Sequence, residues 1–168
     1  AGSARMIIVT GAAGIGKSWS INMFMTWLMR TPGFKRIVFH IGDKEQAFQI
    51  DCTGQERQVT QISEEAITDL SQDWLYIYDS AGSKLATRGA RKRTRGLTII
   101  FSSPKSVNYE YASTKGPALP DWVHVPQWTH EELLQVFPQD QRSVDACFKY
   151  WGGNIRAVTQ FFQSVKNP

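Results

Sequence analysis

Five apolar runs punctuate the chain: Met6–Thr10, Arg36–Ile41, Trp74–Asp79, Leu97–Ser102 and Trp122–Val125. Four of them are nearly continuous in apolar residues, whereas a strand with one wet face would alternate. Such runs predict strands of a parallel sheet covered on both faces. Their alternation with helix-like or loop segments predicts a three-layer α/β fold with a mostly parallel sheet. Gln46–Asp51 differs, because Phe48 and Ile50 flank Gln49. It reads as a one-faced strand, paired as a hairpin with Arg36–Ile41 across Gly42-Asp43-Lys44. Ile62, Ala66, Ile67 and Leu70 have helical spacing, and Trp19–Arg30, free of Gly and Pro, predicts a longer helix. On that helix Trp19, Met23 and Trp27 join Ile21, Phe24, Met25, Leu28 and Met29 to leave almost no polar side. This is the pattern of a helix buried all round, any excess apolar surface serving a neighbouring domain.

The pattern changes after Pro126. Thr129-His130-Glu131-Glu132 is a capping box that opens a helix through Leu133, Leu134 and Phe137, stopping near Pro138. A second helix runs from about Ser143 to Trp151 and ends at Gly152-Gly153. Asn154 caps a third, whose Ile155, Val158, Phe161, Phe162 and Val165 form one stripe. The expected organisation is an α/β core over residues 1–126 and a small helical lid over residues 127–168.

Composition narrows the class. A chain of 168 residues, 42% hydrophobic with six Trp and nine Phe, suits one globular domain and excludes disorder. No apolar run approaches the roughly 20 residues that span a bilayer, so no membrane partner is expected. Ala1-Gly2-Ser3 has the look of a cloning scar, and no secretory signal is visible. Cys52 and Cys147 read as two reduced thiols of an intracellular domain. His40, His124 and His130 lack ligand spacing, so a metal site made of protein side chains alone is not expected. The net charge of +4 is local: Lys84, Arg88, Arg91, Lys92, Arg93 and Arg95 crowd one segment that holds no acid. Three readings of Arg88–Arg95 stay open. It is a solvated face, a phosphate footprint for nucleic acid or nuclear import, or an arginine finger offered to a neighbouring subunit of a homo-oligomer.

The chemistry concentrates in Gly11-Ala12-Ala13-Gly14-Ile15-Gly16-Lys17-Ser18, which fits G-x-x-x-x-G-K-[ST] between an expected strand and an expected helix. The motif predicts a P-loop, with Trp19 continuing the cradle into the helix. Glycines let backbone N–H groups wrap phosphates, and the helix N-terminus adds partial positive charge. Lys17 would reach the β- and γ-phosphates and Ser18 would ligate Mg²⁺. Asp79, ending Trp74-Leu75-Tyr76-Ile77-Tyr78, is the candidate to hold the metal from an adjacent strand. Ser80 follows it where many such ATPases carry a water-activating Glu, which predicts slow hydrolysis. Ser102 and Ser103 end the next strand, where they either sense a γ-phosphate or simply close the strand. Arg156, at the start of the last helix, is placed like a sensor arginine.

A competing pattern is Asp51-Cys52-Thr53-Gly54-Gln55-Glu56-Arg57, similar to the D-x-x-G-Q-E stretch of Ras-like small GTPases. There Gly54 N–H would meet the γ-phosphate and Gln55 would orient water. The guanine-reading N-K-x-D is missing, and Ile100-Phe101-Ser102-Ser103-Pro104-Lys105 occupies its place.

Taken in order, GAAGIGKS, WLYIYDS, VPQWTHEELL and YWGGNIRAV resemble the P-loop NTPase domain shared by Crinkler effectors and trypanosomal retrotransposon hot spot proteins. The family's V-P-x-W-[ST]-x-E-E-L corresponds to Val125–Leu133, and its W-G-G-x-x-R to Trp151–Arg156, with Ile155 where the family usually has Pro. The resemblance implies an AAA-related, STAND-like ATPase that uses Mg²⁺ and ATP and acts, after secretion, in a host nucleus. The expected function is slow ATP hydrolysis. GTP as substrate and a non-hydrolysing, nucleotide-gated nucleic-acid binder are the alternatives, and no second motif supports a kinase.

Overall fold

β1 (Arg5–Thr10) lies inside a seven-stranded sheet of order β4-β3-β2-β5-β6-β1-β7. The other strands are β2 (Arg36–Ile41), β3 (Gln46–Asp51), β4 (Gln58–Ile62), β5 (Trp74–Asp79), β6 (Leu97–Phe101) and β7 (Asp121–His124). The computed structural model describes residues 5–31, 33–42, 46–54, 56–63, 67, 73–80, 96–104 and 120–166. β2, β5, β6, β1 and β7 run parallel, while β3 and β4 extend the sheet as an antiparallel meander. Helix α1 (Lys17–Arg30) follows β1, and α2 (His130–Val136), α3 (Gln141–Trp151) and α4 (Ile155–Lys166) follow β7.

Strand alternation sorts the central residues onto two faces. Tyr76 and Tyr78 pack with Met6, Ile8, Val38 and Ile100 on one side. Leu75 and Ile77 pack with Ile37, Ile99 and Phe101 on the other, beneath Ile21, Met25 and Leu28 of α1. Each fully buried aliphatic side chain contributes about 1.5–3 kcal/mol, so the near-continuous apolar runs are what hold the middle of the sheet. This is the mostly parallel α/β sheet that the apolar runs predict, buried on both faces at its centre.

Four expectations change. Ile62 ends strand β4 and does not open a helix, and most of residues 63–70 lies outside the described set. β4 carries no apolar signature because it is an exposed edge strand, held mainly by its backbone ladder to β3. β7, at the other edge, is exposed along its length, with Trp122 42% and Val123 46% accessible. α1 is not buried all round: Trp19, Met23 and Trp27 are 80%, 76% and 57% accessible. A helix lying on a sheet hides one side only, and among the described residues the first two of these three have no ring or core partner, while Trp27 stacks on Phe24 at 5.7 Å. β6 stops at Phe101, although the Ser102 amide still bonds the Val9 carbonyl at 2.9 Å.

The three C-terminal helices enclose their own small core of Leu133, Val144, Cys147 and Val158, flanked by Trp128, Phe137 and Phe162. The capping box forms as expected: Thr129 Oγ1 accepts from Glu132 N, and Thr129 N donates to Glu132 Oε2 at 2.7 Å. α3 begins two residues before the expected Ser143 because Asp140 caps it, accepting from Ser143 N at 3.3 Å. Asn154 Oδ1 caps α4 through Ala157 N at 3.2 Å. Among the described residues no helix is long and apolar enough to cross a membrane.

Candidate functional site

Parallel strands β1, β5 and β6 deliver their carboxyl ends to one edge of the sheet, where ligands of open α/β sheets bind. Residues 11–16 loop from β1 to α1 along that edge. Gly14 has φ 81 and Gly16 φ 93, a left-handed backbone that side chains rarely adopt. A Cβ at Gly14 would also displace Asn154 Oδ1, the oxygen that caps α4.

Five of the six carbonyls of residues 11–16 accept hydrogen bonds. Lys17 Nζ donates to Gly11 O at 2.7 Å and to Ala12 O at 2.8 Å. The amide of Arg156 donates to Gly14 O at 3.0 Å, and Trp128 Nε1 to Ile15 O at 3.0 Å. Ser20 N donates to Gly16 O at 2.9 Å. In a trans peptide the N–H points opposite to the C=O before it. With the Gly14 and Ile15 carbonyls turned toward the helical unit, the Ile15 and Gly16 amides face the other way. Beside the first turn of α1, this arrangement suits an anion.

Lys17, Asp79 and Arg156 come together electrostatically. Burial pushes the Lys17 ammonium below its ordinary pKa, the nearby Arg156 guanidinium pushes it further, and the Asp79 carboxylate opposes both. Residues from the loop, the end of β5 and the start of α4, remote in sequence, thus share one local field. Asp79 is 7% accessible, and its carbonyl accepts from Gly42 N at 2.9 Å. Ser18 and Trp19 are exposed at the start of α1, as is Ala13 in the loop.

The serines of this edge are committed to the strands. Ser80 Oγ donates to Phe101 O at 2.9 Å and its amide to the same oxygen at 3.0 Å. Ser102, 2% accessible, donates its hydroxyl to Ser103 O at 2.9 Å. Ser103 is half-buried beside it. Both sit at the expected edge, with the Ser102 proton engaged in closing the strand. Thr10 Oγ1 is buried without a hydrogen-bond partner, but it shares the Met6–Ile8 side of β1, away from α1.

Asp51 and Gly54 are not brought to the loop. Arg36 pairs with Asp51, whereas Ile41, at the other end of β2, pairs with Asp79. At about 3.3 Å per residue the two aspartates stand about 16 Å apart along the sheet. β3 is antiparallel to β2, so its carboxyl end points to the opposite edge. There Asp51 Oδ1 accepts from Thr53 N at 2.8 Å and Thr53 Oγ1 at 2.6 Å, bonds that hold its carboxyl below the usual range. Gln55 and the basic segment 84–95 lie outside the described residues. Cys52 and Cys147 are free, and burial pushes both thiols up, away from reactivity. Among the described residues no three His, Cys, Asp or Glu side chains group as a metal site.

Sequence reasoning missed Trp128 as a site residue, although the stretch Val125-Pro126-Gln127-Trp128 stood out. Its backbone abuts Gly153: Trp128 N donates to Gly153 O at 3.2 Å, and a Cβ on Gly153 would overlap the Trp128 carbonyl. Gly153→Ala is therefore expected to destabilise the protein by about 1–3 kcal/mol, as overpacking does. A urea-unfolding midpoint equal to wild type would refute this close packing. No protein-family model matches the chain, and none of the curated proteins compared with it does.

Proposed function

We propose that Gly11–Ser18 is a P-loop and that the domain binds a nucleoside triphosphate, ATP before GTP, and hydrolyses it slowly. The observation that carries this reading is that Lys17 and the Arg156 backbone both bond the loop, at the sheet edge where Asp79 ends β5, while the Ile15 and Gly16 amides face away from the loop's carbonyl partners. The resemblance to the Crinkler and retrotransposon hot spot NTPase domain agrees with it. An effector role in a host nucleus rests on that resemblance alone, and nucleic-acid contact or an arginine finger on Arg88–Arg95 alone.

The chain's own groups take distinct parts. Loop amides and the α1 N-terminus would receive the β-phosphate, with Lys17 exchanging its two carbonyls for phosphate oxygens. Arg156 would face charge developing on the γ-phosphate. Ser18 and Asp79 are hard oxygen donors of the kind Mg²⁺ prefers, and they would hold the ion, Asp79 through water. Bound there, the ion would neutralise phosphate charge. No carboxylate follows Asp79 to take a proton from water, and the Ser80 hydroxyl is engaged with Phe101 O, hence the slow rate.

Thermal melts test the assignment. A ligand at 100 times its Kd stabilises by about 2.7 kcal/mol, which for a domain of this size raises Tm by about 5–10 °C. Melts unmoved by Mg–ATPγS and by a GTP analogue alike would end it. The Lys17 field adds a pH signature. A polyphosphate favours the ammonium and so raises a pKa that the free protein holds low. Binding should take up protons on the alkaline side, and affinity should fall as pH rises through the lowered Lys17 pKa. Calorimetry in two buffers of different ionisation heat reads the uptake; proton release instead would contradict it.

A further inference from the structure

We propose that Trp128 is a positioning residue for this nucleotide site, its indole N–H selecting the loop conformation in which the Gly16 amide faces phosphate. The inference rests on the nucleotide reading above. The peptide joining Ile15 to Gly16 ends on Gly16 at φ 93, and the peptide before it begins on Gly14 at φ 81. Glycine adopts either sign of φ with little preference, so such a segment does not by itself fix which way its peptide planes point. A loop that must present several amides to one anion needs an outside tie. Trp128 Nε1 supplies it at 3.0 Å to the Ile15 carbonyl, one peptide from the Arg156 N–Gly14 O bond. Ile15 itself is 3% accessible, so its carbonyl, if released, has little water to turn to.

Trp128 is well placed to act as a fixed donor. Its own amide bonds Gly153 O, its ring borders the small helical core, and Thr129 next to it is locked as the capping residue of α2. The tie therefore transmits the position of the C-terminal helices to the loop. By linkage, whatever ligand tightens the loop must tighten the indole bond by the same factor.

Trp128→Phe keeps the ring and removes the donor. Mg–ATPγS affinity in calorimetry is expected to drop about five- to tenfold, the factor for one neutral hydrogen bond, with the ligand-free melt changed by only a few degrees. In the ¹H–¹⁵N spectrum of the wild-type protein, the Trp128 Nε1–H resonance, identified by its proximity to the Ile15 α-proton, is expected to shift on saturation with Mg–ATPγS. Unaltered affinity in a folded Phe variant overturns the proposal. So does an indole resonance unmoved at saturation, a readout that holds even if the variant fails to fold. Wild-type protein that binds no nucleotide overturns the P-loop assignment itself, and this inference with it.

Discussion

Lys17→Ala is expected to lower affinity for Mg–ATPγS by on the order of 100-fold or more while leaving the fold intact. A charge-assisted hydrogen bond contributes about 1.5–3 kcal/mol, and an ammonium reaching two phosphates makes more than one. The free protein should tolerate the change. Burial and Arg156 both disfavour the Lys17 charge, so removing it relieves an electrostatic penalty even as the Gly11 and Ala12 carbonyls lose their donor. The ligand-free melt should accordingly move little, in either direction. Lys17→Arg is the sharper control. It keeps the charge, but a planar guanidinium does not fit where a compact ammonium bridges two adjacent carbonyls. It should also bind weakly, although the net charge is unchanged. Calorimetry showing wild-type affinity in the Ala variant would remove Lys17 from phosphate binding and the P-loop assignment with it.

How much of this was readable in the chain depends on what each signal encodes. β5 announced itself because Leu75, Tyr76, Ile77 and Tyr78 are buried on both faces, and only burial writes a continuous apolar run. β4 did not, because Gln58–Ile62 is held by its ladder to β3 and exposes its side chains. The glycine loop was legible since its backbone demands particular residues, Gly14 above all. Exposure on α1 was not, because the sequence shows that Trp19, Met23 and Trp27 are apolar but not which side of the helix the sheet will occupy. The caps of the C-terminal helices follow from local chemistry at Thr129 and Asn154, and local chemistry is what a sequence states directly.

Contacts between distant segments are a different matter. Nothing in a spacing rule ties Trp128 to Ile15, 113 positions away, or lays Gly153 against the Trp128 backbone. Those pairings exist only once the C-terminal helices dock on the loop. The same limit explains the two aspartates. Asp51 and Asp79 each end a strand, and the sequence favours Asp79 while leaving Asp51 as a competing candidate. Strand direction separates them: β2 pairs parallel with β5 and antiparallel with β3, so their carboxyl ends leave the sheet at opposite edges. A motif such as D-x-x-G-Q-E acquires its meaning from the edge it reaches.

That difference makes a paired experiment decisive. Asp79→Asn is expected to abolish most Mg²⁺-dependent phosphate release, a loss on the order of 100-fold, because the neutral amide is a far weaker partner for a hard divalent ion. Asp51→Ala should leave turnover unchanged. Its loss of the Thr53 bonds and of the Arg36 contact at 3.5 Å lies at the far edge, and the pair is partly exposed, so stability too should change little. The Asn variant carries a second signature. Asp79 raises the Lys17 pKa, so neutralising it lowers that pKa further. The alkaline decline in triphosphate affinity should therefore begin at lower pH in Asp79→Asn than in wild type, in calorimetry without Mg²⁺ as well. A general loss of folding would not move that midpoint in this direction. Turnover that survives Asp79→Asn but is lost in Asp51→Ala would transfer the chemistry to the opposite edge of the sheet and to the GTPase-like stretch that begins there.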